Sequence, residues 1–304
     1  MTRHRFFQVD VFTDTPLAGN PLAIFPEADD LDADQMLALS REMNLSETSF
    51  VQRSDCATKR VRFFTPTAEI PLAGHPTIGT WWLLAEQELV DLPRNGDTRV
   101  TQETGAGVFP VDLYMKEGRP EKVIMTQASP QFGESLADIK ALGKALGGNE
   151  NTVADGLLPQ IVSTGLPQLM VPISSSEELD GLPSGGAGSQ LSALLGGMGT
   201  DCAMCYFSNP TRPHHIRCRM FAPGLGVPED PATGSASGAL GAYLVSHGVV
   251  RPTNGFAHIT VEQGVEIGRP SSIEVQVAVG NGGEITEVCV GGIAITVIQG
   301  KVNV

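Results

Sequence analysis

The chain is dominated by short runs in which apolar and polar positions alternate, such as "FFQVDVF", "PLAIF", "TSFVQ", "KRVRFF", "QLMVPI", "IRCRMF", "HITVEQ", "IEVQVAV" and "IAITVI", separated by Gly, Pro and Asn. A period of two is what a strand with one buried face requires, so these runs predict strands. Helical periodicity is rarer. Asp32 and Gln35 stand at capping-box spacing before a helix predicted over 32–43, which turns Met36, Leu37 and Met43 inward. A second helix is predicted over about 135–147, and "GLPSGGAGSQLSALLGGMGT" reads as a loop with a short helix. Many strands and few helices indicate an α+β fold.

The pattern is also written twice. "RFFTPTAEIPLAGHPTIGT", residues 62–80, aligns with "RMFAPGLGVPEDPATGSAS", residues 219–237, pairing Arg62 with Arg219, Phe64 with Phe221, Pro66 with Pro223 and Pro71 with Pro228. Each copy then runs into an apolar helical segment, the first starting near Thr77. Further on, "TQETGAG" resembles "VEQGVEI", matching Glu103 with Glu262 and Gly105 with Gly264. Two related halves follow from this repeat. "MKEGRP", near 115–120, breaks the strand pattern and marks the expected boundary between them.

Composition narrows the function. With 34 acidic and 20 basic residues the formal net charge is −14, a field that repels polyanions and excludes nucleic-acid binding. No segment approaches the roughly 20 apolar residues of a membrane span, and the first residues lack a signal peptide's apolar run, so a cytoplasmic protein is expected. Five cysteines without a secretion signal argue for free thiols. Cys202, Cys205, His214, His215 and Cys218 have spacings that zinc tolerates, but "CAMCYF" reads as a buried strand whose positions i and i+3 face opposite sides, and no metal is expected.

"GLGVPEDPATGSASGALGAYLV", residues 224–245, places glycines and small hydroxyl residues before a helix, a device that exposes backbone N–H groups to an anion. Nucleotide phosphate is excluded: neither G-x-x-x-x-G-K-[ST] nor G-x-G-x-x-G between strand and helix occurs, and Glu229 and Asp230 would face the phosphates. A single carboxylate at Gly234 and Ser235 remains, as does a plain helix cap by Thr233 or Ser235. Gly74 and His75 repeat the device in the first copy. His75 on one side and Asp230 on the other would make a shared cleft chemically unequal. Glu47, in "NLSETSFV", has no Lys or Arg between Arg41 and Arg53 and only small hydroxyl or apolar neighbours, a setting that raises a carboxyl pKa and suits proton transfer near neutral pH.

Taken together, "REMNLSETSFV", "FTPTAEIPLAGHPTIGT", "RMFAPGLGVPEDPATGSASG" and "EQGVEIGRPS" resemble the phenazine biosynthesis PhzF-like isomerase family over nearly the whole chain. The resemblance implies a diaminopimelate-epimerase-like fold: two similar domains, each a curled, mainly antiparallel sheet around a central helix, with the active site between them. It also implies that the last strand returns to the first domain, giving 1–118 plus about 286–304 and 119–285. It further implies a homodimer without a cofactor, acting on a small cyclic carboxylate. Carried over by motif, Glu47 is the proton-shuttling acid/base, and His75 and Asp230 hold the substrate and assist. Gly74, Gly234 and Ser235 line its carboxylate, and Asn20 stands at the cleft rim.

Two other readings stay open: a non-catalytic binder of small carboxylates on the same fold, and an amino-acid epimerase or racemase. Neither 73–79 nor 229–238 contains a cysteine, which argues against two-thiol racemisation.

Overall fold

The computed structural model describes residues 2–304, and strands form where the sequence alternates. The chain begins with β1 (Arg3–Val11), β2 (Asn20–Phe25), α1 (Ala33–Met43), β3 (Thr48–Gln52), β4 (Lys59–Phe64), β5 (Glu69–Ile70), α2 (Gly74–Glu86), β6 (Gly96–Thr104), β7 (Gly107–Lys116) and β8 (Arg119–Thr126). It continues with β9 (Gln131–Ser135), α3 (Ile139–Ala145), β10 (Gln160–Ser163), β11 (Pro167–Pro172), α4 (Ser176–Gly181), α5 (Ser189–Gly197), β12 (Ala203–Ser208) and β13 (His215–Ala222). A 3-10 turn, Pro223–Leu225, then leads to β14 (Val227–Asp230), α6 (Gly234–Ser246), β15 (Phe256–Gln263), β16 (Ser271–Val279), β17 (Ile285–Gly292) and β18 (Ala294–Asn303).

Two compact units result, one of residues 1–126 with 291–304 and one of 127–290. The stretch "MKEGRP", expected as the boundary, is instead the β7–β8 hairpin turn, with Glu117 and Gly118 at positive φ; the units part after Thr126, eight residues later than 118, and again after Val290. Within the first unit the strand order is β18-β1-β2-β3-β4-β6-β7-β8, with β2/β3 and β4/β6 parallel and the rest antiparallel. Within the second it is β9-β10-β11-β12-β13-β15-β16, with β11/β12 and β13/β15 parallel. The seven strands of the second order match the first seven of the first, from β9 with β18 to β16 with β7. β18 fills in the first unit the place that β9 fills in the second, so the chain's last strand completes the sheet that its first strand begins.

Each sheet wraps a helix buried on all faces. α2 packs against β1, β2, β3, β8 and β18, and α6 against β10, β11, β15 and β16. Both read as apolar all round, which is why neither announces itself by an amphipathic stripe. Close approach is bought by small residues: a Cβ on Gly79 would sit 2.7 Å from Val11 Cγ2 and 2.8 Å from Leu22 Cδ2. By contrast α1 is an amphipathic surface helix. Its capping box forms as expected, with Asp32 accepting from Gln35 N–H and the Gln35 side chain accepting from Asp32 N–H. Met36 is buried, Leu37 and Met43 are partly so, and all three pack on the ring stack of Phe25, Phe50 and Phe64. α3 is shorter than expected: Asp138 caps it, and the residues before it form the exposed strand β9.

The repeat's register shifts at one point. Arg62 forks onto Glu69 and Arg219 onto Glu229, spacings of 7 and 10 residues, with the guanidinium stacked on Phe64 in one copy and Phe221 in the other. The 3-10 turn absorbs the three-residue difference. Beyond it Pro71 corresponds to Pro231, not to Pro228, and helix entry Ala73-Gly74-His75 to Thr233-Gly234-Ser235. Side chains agree: Thr77 Oγ1 donates to Ala73 O, and Ser237 Oγ to Thr233 O. Gly105 packs against Pro71 and Gly264 against Pro231. Gly264 has φ 78, and a Cβ there would meet the Pro231 and Arg269 carbonyl oxygens. Gly264→Ala is expected to destabilise the protein by at least about 1–2 kcal/mol, the left-handed backbone term alone, measured by urea unfolding.

Among the described residues no helix is long and apolar enough to cross a membrane.

Candidate active site

In the first unit the site begins where α1 ends. Asn44 takes the left-handed conformation at the C-cap, the chain reverses, and Glu47 arrives one residue before β3. Strand alternation puts Glu47, Ser49 and Val51 on one face, opposite the Thr48 and Phe50 side that packs toward α1. α2 delivers His75 in its first turn. The two meet, His75 Nε2 lying 3.6 Å from Glu47 Oε2, with the His75 side chain 7% and the Glu47 side chain 23% exposed. Burial pushes the Glu47 carboxyl above the ordinary carboxylate range, and the Ser46 hydroxyl offsets part of the rise. Desolvation, inferred from the neighbours in sequence, is therefore the operating cause; the histidine across from it is a contact between residues far apart in the chain.

Below this pair Gln102, fully buried, accepts from Trp81 Nε1 at 2.9 Å and donates to Thr77 Oγ1 at 3.0 Å, tying the first turns of α2 to β6. Ala73 at the N-cap offers no side-chain acceptor, so its side chain does not cap the entry of α2. Asn20, expected at a rim, is buried as the first residue of β2. A carboxylate missed in the sequence is Asp10, fully buried on β1, which accepts from Leu17 N–H at 2.7 Å and holds the loop before Asn20. An Asp inside "FFQVDVF" on the buried side was the signal available.

In the second unit β14 ends on Asp230 and α6 starts at Gly234. Thr233 is the N-cap residue, yet its side chain makes no cap bond. Its Oγ1 donates to Asp230 Oδ2 instead. The N-cap side chain thus closes neither α6 nor α2, whereas α1, α3 and α4 are each closed by an Asp or Ser side chain. Ser235 Oγ accepts from Gln168 Nε2 at 3.3 Å, and Gln127 Nε2 donates to Gly234 O at 3.2 Å. Glu229, which the sequence placed facing an anion beside Asp230, is turned away and buried against Arg219.

The strand registers also show what stands in the second unit where Glu47 stands in the first. Thr48 pairs with Phe64 and Ala203 with Phe221, so the residue before each, Glu47 and Cys202, is equivalent. Cys202 is a protonated thiol, pushed up to about 11 by burial with Asp201 and Asp230 adding to the rise. Only the first copy carries a carboxyl at this position. Burial raises the Cys205 thiol still further, and it packs in the core with Ala203 and Phe221. Among the described residues no three His, Cys, Asp or Glu side chains are grouped to hold a metal ion.

Residues 9–300 match the family described as phenazine biosynthesis-like protein. The chain belongs to this family. It is 36% identical to the trans-2,3-dihydro-3-hydroxyanthranilate isomerase of Pseudomonas chlororaphis, the match covering 98% of this chain and 99% of that one. An uncharacterized isomerase of Clostridium acetobutylicum is likewise 36% identical, with 98% of both chains covered. The crystal structure of a Bacillus anthracis phenazine biosynthesis protein of the PhzF family superposes with a TM-score of 0.89 at 28% identity over 100% of each chain. This phenazine biosynthesis-like protein is an isomerase with the α+β fold of that structure.

Proposed function

We propose that the protein is a cofactor-independent isomerase that moves a proton on a small cyclic carboxylate. The observation that carries this reading is the desolvated Glu47 carboxyl held 3.6 Å from His75 Nε2. A general base must give up and regain its proton near the working pH, and a carboxyl raised by burial does so where an exposed one stays ionised. Glu47 takes the proton from a carbon next to an unsaturated system, the electron pair shifts into that system, and the same carboxyl returns the proton at its far end. His75 assists at Glu47, and Asp230 holds a polar group of the substrate. The uncapped entries of α2 and α6, at Gly74, Gly234 and Ser235, suit its carboxylate. Asn20 contributes from within the sheet.

The test is turnover by wild-type protein dialysed against EDTA, on trans-2,3-dihydro-3-hydroxyanthranilate, the substrate named for the Pseudomonas relative, and on a panel of cyclic carboxylates. Isomerisation that persists without added metal or cofactor is expected. Tight binding across the panel without turnover would replace this reading with the binding protein. Loss of optical rotation from single amino-acid enantiomers would replace it with an epimerase, which the absence of cysteine from 73–79 and 229–238 disfavours.

A further inference from the structure

The carboxylate of Asp230 accepts from Thr233, and Gln263 in turn holds Thr233 and the Asp230 backbone carbonyl; neither residue is in the set named above. Gln263, fully buried at the end of β15, donates from Nε2 to Asp230 O at 2.7 Å and to Thr233 Oγ1 at 3.0 Å, while its Oε1 accepts from Thr233 N–H at 3.1 Å. A hydroxyl has one proton to give. Because Gln263 donates to the Thr233 oxygen, that proton is directed at Asp230 Oδ2. Gly264 and Ser271 close the far side, Gly264 against the Pro231 carbonyl and Ser271 Oγ donating to it at 2.6 Å.

Comparison of the two copies shows that this network is not part of the shared scaffold. In the corrected register the first copy has Ile70 in place of Asp230 and Ala73 in place of Thr233. Carboxylate and hydroxyl occur together in one copy and are both absent from the other. An N-cap threonine ordinarily turns its oxygen onto the first-turn N–H groups, which stabilises the helix. Here that bond is given up, which aims Asp230 and leaves the helix entry open. We propose that Thr233 and Gln263 are positioning residues that hold the Asp230 carboxylate ionised and in one orientation for the isomerase reaction. The inference rests on the reading of Asp230 as a substrate contact.

The experiment compares Thr233→Val, Thr233→Ser, Gln263→Met and Asp230→Asn with wild type on trans-2,3-dihydro-3-hydroxyanthranilate, over pH, together with carbon-13 NMR titration of the Asp230 carboxyl. Thr233→Val is expected to lower kcat about tenfold with KM within about threefold, and to move the Asp230 titration upward by about half a pH unit, the loss of one donor to the charged form. Gln263→Met moves the titration the same way, and Thr233→Ser restores both readouts. A purely structural role would lower Tm in Thr233→Val and Gln263→Met without moving the titration, and that result overturns the proposal. If Asp230→Asn is inactive while Thr233→Val has the wild-type kcat and titration, the positioning role fails and the Asp230 reading stands. If Asp230→Asn keeps full activity, the reading beneath it fails.

Discussion

Glu47→Gln is expected to lower kcat about 100- to 10,000-fold, the range for loss of one well-placed acid/base, while substrate still binds. The substitution keeps the shape of the side chain and its contact with His75 but removes the group that ionises. It should also change stability, in a direction fixed by the sign of the pKa shift. The folded protein holds the Glu47 proton more tightly than the unfolded chain does. The associated stability is therefore fully present below the ordinary carboxylate range and is lost as pH rises through the folded value. Glutamine carries no such pH-dependent loss. Thermal melts should show Glu47→Gln gaining on wild type from pH 4 to pH 8, a stability increase obtained at the expense of activity. A stability difference that does not shift in favour of Glu47→Gln between pH 4 and pH 8, or a variant that is equally active, contradicts the assignment.

The largest stability effect is expected at Arg219. Its side chain is 3% exposed and forks onto Glu229, which is 1% exposed, at 2.9 and 2.7 Å, and its Nη1 donates to the Leu179 and Leu182 carbonyls at the end of α4. Arg219→Met strands Glu229 as a buried, unpaired charge and should cost about 3–5 kcal/mol. Replacing both partners, Arg219→Met with Glu229→Leu, should recover most of that loss, because no isolated charge remains. The matching fork in the first copy, Arg62 with Glu69, is half open to solvent, the side chains being 16% and 40% exposed. Arg62→Met should therefore cost only about 0–1 kcal/mol. Urea unfolding of the three variants checks both the contrast and the recovery. Equal losses at Arg62 and Arg219 would contradict burial as the reason for the difference.

These forks also explain why the repeat was legible and its register was not. Arg62 and Arg219 match in sequence because the same strand, stacked on the same Phe, needs them in both units. A proline lies at two nearby offsets in the second copy, Pro228 and Pro231, and sequence alone prefers the ungapped one. The glutamate that each arginine grips, at a spacing of 7 in one copy and 10 in the other, shows where three residues were added. The helix entries were legible from Gly74, Gly234 and their neighbours because glycine-rich turns are local. Pairing Glu47 with His75, by contrast, depends on β3 lying beside α2, which no local pattern records. Gln263 escaped notice for the same reason: a glutamine at a strand end looks solvated until the loop it supports is placed over it. The "MKEGRP" break misled because a tight hairpin and a domain linker use the same residue types.

The measurement closest to the central claim is solvent-hydrogen exchange on substrate carbon. Wild type and Glu47→Gln are each saturated with trans-2,3-dihydro-3-hydroxyanthranilate in D2O and followed by proton NMR. Deuterium should appear on carbon with wild type and fall by at least about 100-fold with Glu47→Gln although the substrate remains bound; incorporation by Glu47→Gln at the wild-type rate would show that another group carries the proton.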